Sequence, residues 1–331
     1  MFTQKIYIQH RRDSILYFII LAVIYISQLS PYLDIFPLFD AGMYSGCYSE
    51  ISLKNIFCNN HISPIYITIN YVLARIFNYE IFYLNFFNTL IGVYGIYVFY
   101  KLLNFFLINE NNFFILLFTL LLVFNSNYLS STLFLTSDLL LSVSCISFIY
   151  YFLKEKNFLA FFFAIVLVLS KDPGIFYFNF FFISFFIFCF FKNTDIKKVK
   201  NSIIFFIFIN LFFFLIIFLK NQIYIDSANL QLSFREIFSM LLRPRPSNFY
   251  LMNIINFKWV MTLYLLLFLF FLKKDFLNNI KFSQQPLLII ILFFIFLFFS
   301  HLILGMSLNL RYFLLYELIF IFLIIYSISL I

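Results

Sequence analysis

An all-α membrane protein with about ten transmembrane helices is the fold class that this sequence predicts, and three observations predict it. Hydrophobic residues make up 64% of the 331 residues and charged residues only 11%, more apolar surface than a core surrounded by water can hide. Apolar runs of about 15 to 25 residues recur along the whole chain, the dimension a helix needs to cross roughly 30 Å of hydrocarbon. No run alternates with the period of two that a porin-like barrel demands. The formal charge of +8 does not point to nucleic acid, because most Lys and Arg lie in short segments between apolar runs, where they set topology.

The elements follow in order. Lys5, Arg11 and Arg12 precede an apolar run over about 14–30 without a small-residue cleavage site, so the run is expected to stay as the first span, with the N-terminus inside. Residues 31–80 form a first outer loop carrying Asp34, Asp40 and Glu50. Within it, 61–78 is apolar but holds Pro64, Asn70 and Arg75. Either this segment crosses and leaves Lys101 outside, or it lies along the outer face as a juxtamembrane helix and 81–103 crosses inward, placing Lys101 inside. The second arrangement is preferred. Spans are then expected at about 111–128, 138–153, 157–171, 174–191, 202–219, 259–272, 286–304 and 311–330. The second large outer loop, 220–258, contains Arg243-Pro244-Arg245-Pro246 and is stiffened by its prolines. No internal repeat, broken helix or C-terminal soluble domain is visible, so 1–331 is expected to be a single polytopic domain.

On this topology about 13 Lys and Arg fall inside and about nine outside. The outer ones are Lys54, Arg75, Lys171, Lys220, Arg235, Arg243, Arg245, Lys258 and Arg311. That is more than orientation alone would leave there, and it suggests an anionic ligand at the outer face. Cysteines 47 and 58 share one outer loop, where a disulfide and two free thiols are equal alternatives.

Asp40, His61, Asp138, Lys171, Asp172, Arg243, Arg245, His301 and Arg311 converge on the same face from separate stretches. Carboxylates able to take a proton, beside cations able to steady a departing phosphate, are the groups that sugar transfer from a phosphate-linked donor needs. Asp40 sits in Phe39-Asp40-Ala41-Gly42-Met43-Tyr44-Ser45-Gly46, where two glycines allow close approach to a ligand; a solvated loop aspartate is the alternative. Asp138 opens a span after Leu135-Thr136-Ser137, where helix capping explains it as well. Lys171, in Leu169-Ser170-Lys171-Asp172-Pro173-Gly174, joins two apolar runs with almost no loop and needs a partner, either Asp172 or a lipid phosphate. Arg311 and Tyr312 open the last span, where snorkelling to the interface competes with phosphate binding. Glu317 lies within that span and must face a partner, which the sequence does not name. Three histidines in the whole chain make a His-rich metal site improbable.

Taken together these residues resemble the polytopic membrane glycosyltransferases of the GT-C superfamily that use polyprenyl-phosphate sugars. The nearest likeness is to the bacterial branch of protein O-mannosyltransferases and lipid A aminoarabinose transferases. Phe39-Asp40-Ala41-Gly42-Met43-Tyr44 resembles that branch's acidic first loop. His61-Ile62-Ser63-Pro64-Ile65-Tyr66 and Arg75-Ile76-Phe77-Asn78 are similar to its His-Pro-Pro-Leu-Tyr and Arg-Leu-Phe-Gly motifs. Asp138, Lys171 with Gly174, and Arg311-Tyr312 match later positions.

The resemblance implies a GT-C-like fold with Asp40 as catalytic base and Asp138 as a second carboxylate. It also implies a donor-phosphate site of Lys171, Arg311 and Tyr312, with His61, Tyr44, Arg243, Arg245 and His301 as candidates for acceptor or loop contacts. The implied partners are a polyprenyl-phosphate sugar donor, a lipid, glycan or protein acceptor, and membrane lipids. The implied place is the bacterial inner membrane, with the site on the periplasmic face. No cofactor is called for with certainty, and a divalent metal stays open. Ala41 in place of an acidic residue and the missing second proline after His61 depart from the pattern. Two alternatives stand beside transfer: a glycan polymerase or ligase relying on Arg235, Arg243 and Arg245, and a lipid or solute transporter, for which inverted repeats and broken helices would speak.

Overall fold

The computed structural model describes residues 2–35, 46–47, 63–107, 112–192, 196–224, 285–304 and 314–328. Among them the chain is helical with no strand. We number the helices α1 (Phe2–Leu29, followed by a 3-10 turn Ser30–Tyr32), α2 (Pro64–Ile76), α3 (Ile81–Phe106), α4 (Asn112–Val123), α5 (Ser126–Leu133), α6 (Ser137–Leu153), α7 (Asn157–Ser170), α8 (Gly174–Lys192), α9 (Ile196–Tyr224), α10 (Gln285–Leu304) and α11 (Leu314–Ile328). The expected span 259–272 lies outside the described residues.

Three helical stretches, Ile15–Tyr32, Ile81–Phe106 and Val199–Lys220, are long and apolar enough to cross a membrane, and α4 with α5 makes a fourth if the bent pair counts as one span. The remaining apolar helices, such as α6 and α7, are shorter; at 1.5 Å per residue, 14 to 17 residues rise roughly 21 to 26 Å. The long apolar helices are compatible with an integral membrane protein. Along α9, Ile203, Ile204, Ile207, Phe208, Leu211, Phe214, Leu215 and Phe218 are exposed, the surface a lipid-facing helix carries. At the other extreme, every residue of α11 from Leu314 to Tyr326 is buried, as expected for a helix that is apolar all round and packed on all sides. Helices α3, α4, α5, α6 and α10 surround it.

Two features correct the sequence-based picture. The expected span 111–128 is not one helix: α4 and α5 meet at Phe124–Asn125 with a bend of 57°. Asn125 causes it locally, because its side chain accepts the Tyr128 backbone N–H at 2.8 Å and so starts a new helix. Helix α9 also runs on to Tyr224, into the start of the expected loop 220–258. For the segment 61–78, the helix is α2, whose 13 residues span about 20 Å. Asn78 and Tyr79 turn the chain back into α3 with φ of 51° and 62°.

Close packing fixes how the helices meet. Tyr128 of α5 donates to the Gly92 carbonyl of α3 at 2.7 Å, and the Tyr25 hydroxyl of α1 is hydrogen-bonded to Thr132 of α5. A methyl group on Gly92 would meet the Tyr25 ring and one on Gly95 would collide with Tyr128, so these two glycines admit the tyrosines.

Helices α6 and α7 form an antiparallel hairpin through the tight turn at Lys154–Lys156, where Glu155 takes a φ of 58°. Lys154 Nζ lies 4.6 Å from the Phe105 ring centroid. The C-terminal end of α3, with Lys101, therefore shares one end of the bundle with this turn. The open end of the hairpin, with Asp138 and Lys171, is the opposite end.

Candidate functional site

At that open end Lys171 Nζ lies 2.5 Å from Asp138 Oδ1. Each charge sits where its helix favours it. Asp138 is in the first turn of α6, facing the positive end of the helix dipole, and Lys171 caps the C-terminus of α7, at the negative end. Thr136, the N-cap residue of α6, makes no capping bond with its side chain; its hydroxyl donates to Asp138 Oδ2 at 3.0 Å. Both carboxylate oxygens are thus engaged. The Asp138 side chain is 3% exposed and that of Lys171 13%, so the lysine is the member of the pair with a path to the surface. The expected alternatives for its partner were Asp172 or a lipid phosphate; the ion-pair partner found is Asp138.

The backbone beyond Lys171 is equally constrained. Its carbonyl accepts the Gly174 N–H at 2.8 Å, and a Cβ on Gly174 would collide with the Leu167 carbonyl oxygen. Only glycine lets α8 begin against the last turn of α7, and this holds Lys171 at the junction.

Other elements gather at the same end. Helix α2 packs on α7 and α3. Its Tyr66, Ile67 and Ala74 join Cys47, Leu84 and Leu135 in a small apolar cluster separate from the main core. Asn85, near the start of α3, donates to the carbonyls of Leu33 at 2.7 Å and Ile35 at 3.1 Å, which ties the chain just after α1 to this end. Cys47 is disulfide-bonded to a partner outside the described residues, while Cys145 and Cys189 are buried and in no disulfide. Arg75 on α2 stacks over Tyr71 and Tyr79, at 5.4 and 5.7 Å from their ring centroids.

Asp40, Tyr44, His61, Arg243, Arg245, Arg311 and Tyr312 lie outside the described residues, as does the side chain of His301 in α10. Of the expected site residues, the structure brings together Asp138 and Lys171.

Sequence reasoning left Glu317 without a partner, and the structure supplies one. Glu317, 3% exposed in the first turn of α11, accepts from Asn127 Nδ2 at 2.9 Å. Asn125 is a further hydrogen-bonding neighbour. The signal was present as Asn125-Ser126-Asn127, a polar cluster inside an otherwise apolar run. Among the described residues no group of three or more His, Cys, Asp and Glu side chains comes together to hold a metal ion.

These observations describe an all-helical protein, compatible with an integral membrane protein, with a dipole-aligned charge pair at one end and a buried carboxylate at a helix break. Comparison of the chain with protein-family models, curated proteins and solved structures finds no match.

Proposed function

We propose that the protein is a membrane-embedded glycosyltransferase of GT-C-like architecture. About ten transmembrane helices lie in a bacterial inner membrane, and the protein moves a sugar from a polyprenyl-phosphate donor to a lipid, glycan or protein acceptor at the periplasmic face. The observation that carries the proposal is the Asp138–Lys171 pair. A lysine oriented by an ion pair and still partly exposed is a ready partner for a phosphate. Asp138, with both oxygens engaged, serves as a positioning residue, and the base is Asp40, the role that the resemblance implies for it. Supporting the resemblance, Asn78 stands where the related motif has glycine and takes the left-handed conformation that suits Gly or Asn.

In the proposed reaction Asp40 accepts the proton of the acceptor hydroxyl. The acceptor oxygen bonds to the anomeric carbon from the face opposite the phosphate, with inversion. The bond from that carbon to the phosphate oxygen breaks, and the polyprenyl phosphate leaves with the electron pair, its charge met by Lys171 and outer-face cations including Arg311. A positioned base contributes roughly 10²–10⁴-fold, and fixed charges in a water-poor site supply much of the remainder.

One observation favours a second reading, a lipid or solute transporter: the break between α4 and α5 with Glu317 beside it, since interrupted helices and buried carboxylates mark many transport sites. Proteoliposomes given a radiolabelled polyprenyl-phosphate sugar separate the two. Label passing to an acceptor in the wild type and lost in Asp40→Asn supports transfer. Transfer retained in Asp40→Asn removes the assigned base, and label that crosses the bilayer without changing carrier favours transport.

A further inference from the structure

At the lysine-bearing end of the bundle, opposite Asp138 and Lys171, a groove of about 780 Å³ opens between α7 and α9, within the roughly 300–1,000 Å³ range of ligand pockets. Its inner part is apolar, lined by Phe161, Ile204, Phe205 and Phe208; its mouth is polar, with Asn157, Asn201 and Ser202. Phe161 meets Phe205 and Phe208 at centroid distances of 5.9 and 5.6 Å, so the two helices touch through rings rather than close the groove. Two exposed lysines are the sequence neighbours of mouth residues, Lys156 immediately before Asn157 and Lys200 immediately before Asn201, and α9 opens with Ile196-Lys197-Lys198-Val199-Lys200. The one carboxylate in the lining, Glu155, is the sequence neighbour of Lys156.

We propose that this groove binds an anionic phospholipid, with an acyl chain along Phe161, Ile204 and Phe208 and the headgroup phosphate at the polar mouth. Charge complementarity selects this occupant. An apolar slot reaching exposed helix surface takes a hydrocarbon chain from the bilayer, and amide and hydroxyl donors beside lysines suit a phosphate. A neutral chain alone would leave those donors and charges unused. The groove lies at the far end from the proposed transfer site, so its occupancy stands or falls apart from that chemistry.

The test uses the purified full-length chain and two probes, phosphatidylglycerol and phosphatidylcholine, with retained lipid measured by native mass spectrometry. Phosphatidylglycerol is expected to bind at least about tenfold more tightly than phosphatidylcholine, and Lys156→Gln/Lys200→Gln, which alters only exposed side chains, is expected to remove that preference. Ile204→Trp, at an exposed position lining the groove, is expected to reduce retention of both lipids. Equal binding of the two lipids, a preference unchanged in the double lysine variant, or full retention in Ile204→Trp overturns the proposal.

Discussion

Lys171, at the C-terminus of α7, meets Asp138, in the first turn of α6, across the open end of a helical hairpin, 2.5 Å apart and both largely buried. Two antiparallel helices present opposite dipole ends side by side, and here each end carries the charge that it favours. Breaking such a pair costs more than the pair is worth, because one charge stays behind without a partner. Asp138→Leu and Lys171→Met are each expected to lower stability by about 3–5 kcal/mol, whereas the double variant recovers much of the loss. Thermal unfolding in detergent reads this; a double variant whose loss equals the sum of the two single losses would show that the charges are not coupled.

Glu317 calls for a different pattern. Its bond to Asn127 joins α11 to the helix break, and a glutamine can preserve it. Glu317→Gln is expected to unfold near the wild-type temperature, while Glu317→Leu leaves the Asn127 amide buried without that acceptor and loses about 1–3 kcal/mol. A leucine variant as stable as the glutamine variant would mean that the contact does not hold the helices.

Gly174 tests the junction that carries Lys171. Alanine there must push its methyl into the Leu167 carbonyl, so α8 has to move away from α7. Gly174→Ala is expected to cost about 1–3 kcal/mol, the range for overpacking, measured by the same unfolding assay. An unchanged midpoint would show that the junction yields freely.

The disulfide at Cys47 bears on orientation, since disulfides persist in oxidising compartments. Intact cells treated with a membrane-impermeant reductant, then denatured and labelled with maleimide, are expected to show more labelled thiols in the chain than unreduced cells, because Cys47, Cys145 and Cys189 are all buried in the fold. A gain in labelling that also requires permeabilised membranes would place this end inside.

Much of the fold was legible in the sequence. Apolar runs located the helices, and the Asp138–Lys171 pairing could have been read as well: the midpoint of these positions falls between Lys154 and Glu155, inside the tight turn, so hairpin symmetry sets them opposite each other. The break at Asn125 was less legible, because hydropathy averages over a window and a three-residue polar cluster barely lowers it. Local capping by Asn125, not loss of apolar character, splits the run. Glu317 could not be matched for the same reason: its partner lies 190 residues away, at a break that the apolar pattern conceals.

The most direct measurement of the central claim is binding of polyprenyl phosphate, the proposed leaving group, to purified wild type and to the Asp138→Leu/Lys171→Met double variant, which is expected to remain folded. The account predicts that the wild type binds and that the double variant binds at least about tenfold more weakly, the value of a lost charge-assisted hydrogen bond. A folded double variant that binds polyprenyl phosphate as tightly as the wild type would contradict it.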